Sequence, residues 1–285
     1  MRQKLTTIKN LAWALSIFVM LLSLLLGLLF LAVVRYDGGM ERPQVVLGAS
    51  GSAAPLVDAA ETEDPGAPVQ TPTGKLIQLE ETKDAGQAYI DSLTFLCDSA
   101  TAGLHDYGIL SGGTSTTQVW YRREGTLPVS TLADCQINYP DGSLVSPADA
   151  AMTAKPGILV ISVGQDGLGA VDQDSFVENY EALIRSIQAK SPRTIIVVCS
   201  IIPVGPNYNG TDNLSADLII RANDWVTRVC RDTGVYYCDA ARALRDNTGV
   251  LYERFAFANK KTLNSTGLTE FLHYLSTHAV PDAAR

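Results

Sequence analysis

Two short groups of polar residues follow apolar runs in this chain of 285 residues, and their types could support acyl transfer. Asp98-Ser99 comes directly after LTFLC, and Gly164-Gln165-Asp166 comes directly after ILVISV. A serine at a turn between a strand and a helix is a candidate nucleophile, because backbone N–H groups there favour a developing anion. Such a serine also needs a general base, most often a histidine, to accept its hydroxyl proton.

The three histidines of the chain are not spaced to serve Ser99. His105 lies about 9 Å further along the same predicted helix and on a different face. His273 and His278 fall in the predicted last helix, where we expect them to be partly exposed. Asp98 is a poor base, because an Asp at the start of a helix usually caps that helix. The residue types therefore indicate a serine without an effective base.

Four apolar runs have the composition of strands that are buried on both faces, and they occupy residues 93–97, 158–163, 194–200 and 235–239. Apolar residues at spacings of three and four predict helices near residues 176–187, 218–229 and 266–280. This alternation predicts an α/β fold, a three-layer sandwich with a parallel sheet and helices on both faces. Ligands bind at the carboxyl ends of the strands in such sheets, where both polar groups stand. The residues expected in the sheet core are Phe95, Leu159, Val160, Ile161, Ile196, Val197, Val198 and Tyr236.

Several segments resemble the sequence blocks of the SGNH, or GDSL, esterase and lipase family. FLCDSATAGL (95–104) is similar to the first block, and ILVISVGQDGLG (158–169) is similar to the third. Three later segments of the chain resemble the family's remaining blocks and follow in the same order: SPRTIIVVCSIIPV, TGVYYCDAARAL and TLNSTGLTEFLHYLSTHAV. The resemblance runs from about residue 89 to residue 280. It implies the flavodoxin-like SGNH-hydrolase fold and an ester or acetyl-ester hydrolase that uses no cofactor.

The resemblance also implies roles for individual residues. Ser99 matches the family's nucleophile, and Asp98 matches its acidic neighbour. Family members bind the oxyanion with an Asn side chain, a Gly N–H and the serine N–H, and their base is a His oriented by an Asp three residues earlier. Asp166 stands at the Asn position, and Asn259 and Thr262 stand at the Asp and His positions. The base and its orienting carboxylate are therefore both replaced.

Further positions follow from the same alignment. Cys97 takes the place of the usual glycine before the Asp-Ser pair. Gly164 and Gln165 belong to the block of the oxyanion residue, and we expect them to contribute to ligand binding. The oxyanion glycine of the second block has two candidates, Gly112 and Gly113.

The replacements have a physical cost for catalysis. General-base help contributes typically about 10²–10⁴ in rate. An ionised Asp166 about 4 Å from a developing oxyanion would repel it by on the order of 4 kcal/mol at an effective dielectric constant near 20. That repulsion is roughly another factor of 10³ in rate, unless Asp166 is kept protonated and donates. We expect a catalytically weak or silent member of the family.

An uncharged apolar segment precedes these blocks at residues 11–34. As a helix it reaches about 36 Å, which exceeds a hydrocarbon core of about 30 Å. Arg2, Lys4 and Lys9 precede it without an acidic residue, so the positive-inside rule places the N-terminus in the cytoplasm. A cleaved signal peptide is the alternative, although its apolar region is usually shorter.

The predicted organisation has four parts. A cytoplasmic tail (1–10) and a transmembrane anchor (11–34) are followed by a disordered linker (35–84), which is rich in Gly, Pro, Ala and Thr. The SGNH-hydrolase-like domain (85–285) is then extracytoplasmic, on a protein of the cell membrane.

Composition limits the partners. The net charge of −8 argues against a nucleic-acid binder. The five cysteines show no metal-ligand spacing, so no metal site is expected. The expected ligand is a cell-envelope glycan or another acylated carbohydrate. Four aromatic residues could stack on sugar rings, with ordinary packing as the alternative: Trp120, Tyr121, Tyr208 and Tyr252.

Three interpretations of function remain. The first is a hydrolase-like protein with weak or no activity. The second is a non-catalytic module that binds a glycan or a protein in the former active-site cleft. The third is an active esterase that uses an unorthodox base.

Overall fold

A parallel sheet of six strands organises the computed structural model, which describes residues 74–281. The strands in chain order are β1 (Ile77–Gln78), β2 (Leu93–Cys97), β3 (Val119–Trp120), β4 (Ile137–Asn138), β5 (Leu144–Val145), β6 (Ile158–Ser162), β7 (Ile195–Cys199) and β8 (Tyr236–Cys238). The sheet order is β1-β8-β7-β6-β2-β3, and every pairing in it is parallel. β4 and β5 form a separate antiparallel pair.

Six α-helices connect or flank these strands. They are α1 (Gly86–Ser92), α2 (Gly103–Asp106), α3 (Pro147–Ala154), α4 (Gln173–Lys190), α5 (Ala216–Thr233) and α6 (Ser265–Thr277). The three long ones begin at side-chain caps, because Asp172, Ser215 and Asn264 each accept a hydrogen bond from a backbone N–H three residues later. Gly234 ends α5 in the left-handed conformation, with φ of 67°.

The central strands are buried on both faces, as their composition predicts. Alternate residues point to opposite sides, so Leu159 and Ile161 pack in one core cluster with α4 and α5, whereas Val160 packs in the other with α6. All eight residues expected in the sheet core are buried, the most exposed being Tyr236 at 8%. The predictions of a parallel sheet and of helices on both of its faces are confirmed.

Two strands that the sequence patterns did not predict complete the sheet at its edges. β1 lies within the segment assigned to the linker, and it pairs with β8 through Ile77 and Tyr236. β3 pairs with β2 through Val119 and Phe95. Each of these strands has two residues, which is too short for a period of two to be recognised. Their pairing depends on a neighbouring strand rather than on their own sequence.

The predicted anchor at 11–34 lies outside the described residues, as does the predicted tail at 1–10. Between residues 74 and 281, the structure contains no helix with the length and hydropathy needed to cross a bilayer.

Candidate active site

The candidate nucleophile and the residue at the oxyanion position lie at the ends of adjacent strands. Ser99 follows β2, and Asp166 lies in the loop after β6. These two strands pair in register from Leu93 opposite Ile158 to Cys97 opposite Ser162. Parallel pairing therefore brings the two loops together at the carboxyl edge of the sheet.

The Asp166 carboxylate is bound directly to Ser99. The hydroxyl of Ser99 donates to Oδ1 of Asp166 over 2.5 Å, and the backbone N–H of Ser99 donates to Oδ2 over 3.1 Å. The backbone N–H of Leu127 also donates to Oδ2, over 3.2 Å. Asp166 is 1% exposed, whereas Ser99 is half-buried. The N–H group that would face an oxyanion at Ser99 thus already binds an anionic side chain.

Asp98 faces away from the hydroxyl of Ser99 and joins two loops. Its Oδ2 accepts hydrogen bonds from the N–H groups of Gly164 (3.0 Å) and Gln165 (2.9 Å), and its Oδ1 accepts one from Ala100 (3.0 Å). Burial and the negative charge of nearby Asp166 raise the pKa of the Asp98 carboxyl to about 7, although these backbone donors act in the opposite direction. Asp98 is therefore a positioning residue in this geometry.

Gly164 and Gln165 hold the same loop from its other side. Gly164 has φ of 131°, and a Cβ there would lie 3.0 Å from the side chain of Ile201. The Gln165 amide donates to the carbonyls of Ile202 (2.9 Å) and Lys261 (3.1 Å), while its buried Oε1 has no hydrogen-bond partner. The structure thus gives both residues contacts within the protein that fix the loop beside Ser99.

Sequence reasoning missed Lys261, which supplies a positive charge to the site. Its Nζ lies 3.6 Å from Oδ1 of Asp166 and 2.9 Å from Oδ2 of Asp212. The hydroxyl of Tyr208 donates to Asp212 over 2.8 Å. Burial alone would lower the pKa of Lys261, but Asp212 and Asp166 outweigh burial and raise it. Lys261 is therefore a cation near neutral pH and is not available as a base.

Asn259 and Thr262, which are predicted to stand at the family's Asp and His positions, lie in one turn. Oδ1 of Asn259 accepts hydrogen bonds from the N–H groups of Lys261 and Thr262, both over 3.0 Å, and from the Thr262 hydroxyl over 3.2 Å. The N–H of Leu263 donates to the carbonyl of Ala100 over 3.1 Å, which places this turn beside the Ser99 segment. The two side chains bind each other and have no hydrogen bond to Ser99.

No histidine takes over as the base. All three histidines lie within residues 74–281, and in that part of the chain none has a hydrogen bond to Ser99. His105 contacts the Tyr121 hydroxyl at 3.2 Å, and His278 stacks on Tyr274 with ring centroids 3.7 Å apart. His273 is exposed.

Comparison with known proteins identifies the family of the chain. The family model of the GDSL-like lipase/acylhydrolase family matches residues 95–273. The chain belongs to this family. No curated protein matches the chain by sequence.

Solved structures similar to this GDSL-family chain have low sequence identity to it. A lipolytic protein of the G-D-S-L family from Desulfitobacterium hafniense is 19% identical, with 66% of this chain and 99% of that one covered and a TM-score of 0.45. The acetylxylan esterase Axe2 from Geobacillus stearothermophilus is 13% identical, with 66% and 94% covered and a TM-score of 0.40. A carbohydrate esterase of family 3 from Talaromyces cellulolyticus is 16% identical, with 52% and 64% covered and a TM-score of 0.38.

Gly112 and Gly113, the two candidates for the oxyanion glycine, precede β3. Besides the N–H of Ser99, the backbone N–H that contacts the Asp166 carboxylate comes from Leu127, in the loop after β3. The helix expected directly after Ser99 is instead a turn followed by the four-residue α2.

Trp120 and Tyr121 are buried, which favours the packing alternative for both rings. Among residues 74–281, no group of three or more His, Cys, Asp or Glu side chains could hold a metal ion.

Proposed function

We propose that this GDSL-family chain is a membrane-anchored, extracytoplasmic protein that hydrolyses esters weakly or not at all and recognises an acylated carbohydrate beside Ser99. The main support for lost catalysis is that the Asp166 carboxylate accepts hydrogen bonds from both the hydroxyl and the N–H of Ser99. A carboxylate at this point repels a developing oxyanion and occupies one of its donors.

The absence of a base supports the same proposal. Thr262 has no titratable group near neutral pH, and its hydroxyl is bound to Asn259. Lys261, the nearest cation to Asp166, is held in its charged form by Asp212 and Asp166. Ser99 therefore lacks a neutral amine or imidazole that could accept its proton.

The test of lost catalysis is a comparison of wild type with Ser99→Ala on a panel of p-nitrophenyl esters. We expect the two proteins to release p-nitrophenol at the same rate. A wild-type rate at least tenfold above that of Ser99→Ala would contradict the proposal, because any turnover through Ser99 disappears in the variant.

A second candidate function is an active esterase in which Asp166 is the base. The 2.5 Å hydrogen bond from the Ser99 hydroxyl to Asp166 favours it, because a general base must reach the proton that it removes. One variant separates the two candidates. Asp166→Asn abolishes Ser99-dependent turnover if the carboxylate is the base, whereas a silent wild type has no such turnover to lose.

Ligand binding is tested separately from catalysis. The acyl-carbohydrate ligand is inferred from the acylhydrolase chemistry of the family. In calorimetric titrations, wild type and Ser99→Ala should both bind acetylated xylo-oligosaccharides, and neither should bind the chemically deacetylated oligosaccharides. Equal affinity for the two preparations would show that the acetyl group is not recognised.

The anchor is the apolar segment 11–34, with the basic residues Arg2, Lys4 and Lys9 on its cytoplasmic side. Protease added to intact cells should remove the domain that follows. A domain that stays protected until the cells are lysed would contradict the orientation. An N-terminal sequence of the membrane-extracted protein that starts after residue 34 would favour the cleaved signal peptide instead.

A further inference from the structure

Four donor groups converge on one buried carboxylate at the end of β2. They are the N–H and the hydroxyl of Ser99, the N–H of Leu127 and the ammonium group of Lys261. Two backbone N–H groups and a cation directed at one point form a site for an anion, whatever anion occupies it. The four groups come from three separate loops, so the fold assembles this site and no local turn accounts for it.

We propose that these groups form a carboxylate-binding site whose occupant is the side chain of Asp166, so that the chain fills its own oxyanion position. This inference rests on the proposed loss of catalysis, and it adds the reason why the site stays closed. A side chain on the same chain competes with any anion from solution for these donors at a very high effective concentration.

The surroundings of Asp166 keep it in this position. Its carbonyl accepts a hydrogen bond from the N–H of Val129 over 2.9 Å, so the main chain and the side chain of Asp166 both contact the loop after β3. The preceding residues, Gly164 and Gln165, are bound by Asp98. Asp166 is 1% exposed, so its carboxylate is shielded from bulk solvent in this position.

Two N–H groups alone would give this site no positive charge, and Lys261 supplies one. Its Nζ bridges Asp166 and Asp212, and the Lys261 side chain is 19% exposed. The half-buried Ser99 lies on the other side of the carboxylate. Removal of the Asp166 side chain should therefore leave a cavity with two N–H donors and a cation, to which a small carboxylate has access.

The experiment supplies that carboxylate from solution. Asp166→Ala and Asp166→Ser are titrated with sodium acetate at constant ionic strength, and the thermal midpoint and the ¹³C signal of labelled acetate are measured. We expect saturable binding with a dissociation constant on the order of 1 mM, a reasonable value for a ligand of this size. At a tenfold excess over that constant, the midpoint should rise by about 2–5 °C.

Three controls define the outcome. Wild type should show no saturable response, because its own carboxylate is in place. Acetamide, which has the same shape without the charge, should bind none of the proteins. Asp166→Ala combined with Lys261→Met should bind acetate at least tenfold more weakly than Asp166→Ala, whereas the combination with Lys260→Met should bind it unchanged.

Several results would overturn the inference. These are equal responses to acetate and acetamide, saturable binding by wild type, or variants that remain unfolded at saturating acetate. None of these readouts uses turnover, so a failure here differs from a failure of the proposed function, which is a Ser99-dependent rate in wild type.

Discussion

The ammonium group of Lys261 lies 3.6 Å from Oδ1 of Asp166. Lys261 directly precedes Thr262, the residue predicted to stand at the family's histidine position. The same carboxylate lies close enough to Asp98 to raise the pKa of that group. Two buried acidic side chains side by side are unfavourable unless a cation or a proton compensates them. Here Lys261 lies beside Asp166, and burial together with the charge of Asp166 raises the pKa of the Asp98 carboxyl.

The first prediction concerns the stability contributed by Lys261. Lys261→Met should lower the free energy of unfolding by about 1–3 kcal/mol, because it leaves the buried Asp166 and the nearby Asp212 without their shared cation. Asp166→Asn should suppress the part of that loss that comes from Asp166 in the double variant, as measured by urea denaturation.

The matched control is the neighbouring lysine. Lys260 donates from Nζ to the carbonyl of Pro206 over 2.9 Å and has no carboxylate partner among the residues the structure describes. Lys260→Met should therefore change the free energy of unfolding by less than about 0.5 kcal/mol. Equal losses for the two lysines would show that the charge of Lys261 is not what stabilises the site.

The second prediction concerns pH. The pKa of Asp98 is about 7 in the folded protein, above its ordinary value of 3.8. The folded state therefore binds more protons than the unfolded state between these values, and stability falls as pH rises through this interval. The slope should reach at most about 1.4 kcal/mol per pH unit. Denaturation curves at a series of pH values measure it.

Asp98→Asn provides the comparison for that slope. The variant cannot ionise at residue 98, so its free energy of unfolding should depend less on pH in the same interval. The Asp residues with lowered pKa, such as Asp91 and Asp149, change protonation below this interval and do not contribute. An unchanged slope in Asp98→Asn would assign the pH dependence to another group.

The third prediction restores catalysis. Asn259→Asp and Thr262→His together with Asp166→Asn should produce ester hydrolysis that depends on Ser99. A histidine at 262 supplies a base worth about 10²–10⁴ in rate, and an amide at 166 supplies an oxyanion donor worth about 3 kcal/mol.

Single reversions should change little, because these groups act as a unit. Rates on p-nitrophenyl acetate are compared for each single variant, for the triple variant and for the triple variant with Ser99→Ala. A triple variant no faster than its Ser99→Ala counterpart would show that the replaced residues are not sufficient to explain the loss of activity.

The fourth prediction concerns the cysteines. All five are free and buried, and burial raises the pKa of the Cys97 thiol to about 12 and that of Cys135 to about 11. The folded protein should therefore not react with Ellman's reagent on the timescale on which all five thiols react after unfolding in guanidinium. Rapid reaction of the native protein would contradict the burial of these cysteines.

The amino-acid sequence by itself determined the layers of this protein. The runs around Phe95, Val160 and Val197 are apolar on both faces, and only a sheet covered by helices on both sides can bury them. The same patterns located Ser99 and Asp166 at the carboxyl ends of strands, because that position follows from element order alone. The assignment of Asn259 and Thr262 to the family's Asp and His positions is likewise a prediction from the sequence, made from the resemblance of the last blocks.

Only the tertiary structure decided what fills the site. Lys261 stands far from Asp166 in the sequence, and no local pattern predicts that its Nζ lies 3.6 Å from that carboxylate. The N–H of Leu127 has no sequence signal at all, because every residue other than proline has one. Distances between loops depend on how the strands pair and the loops pack, so the carboxylate that closes this site becomes apparent only once the chain is folded.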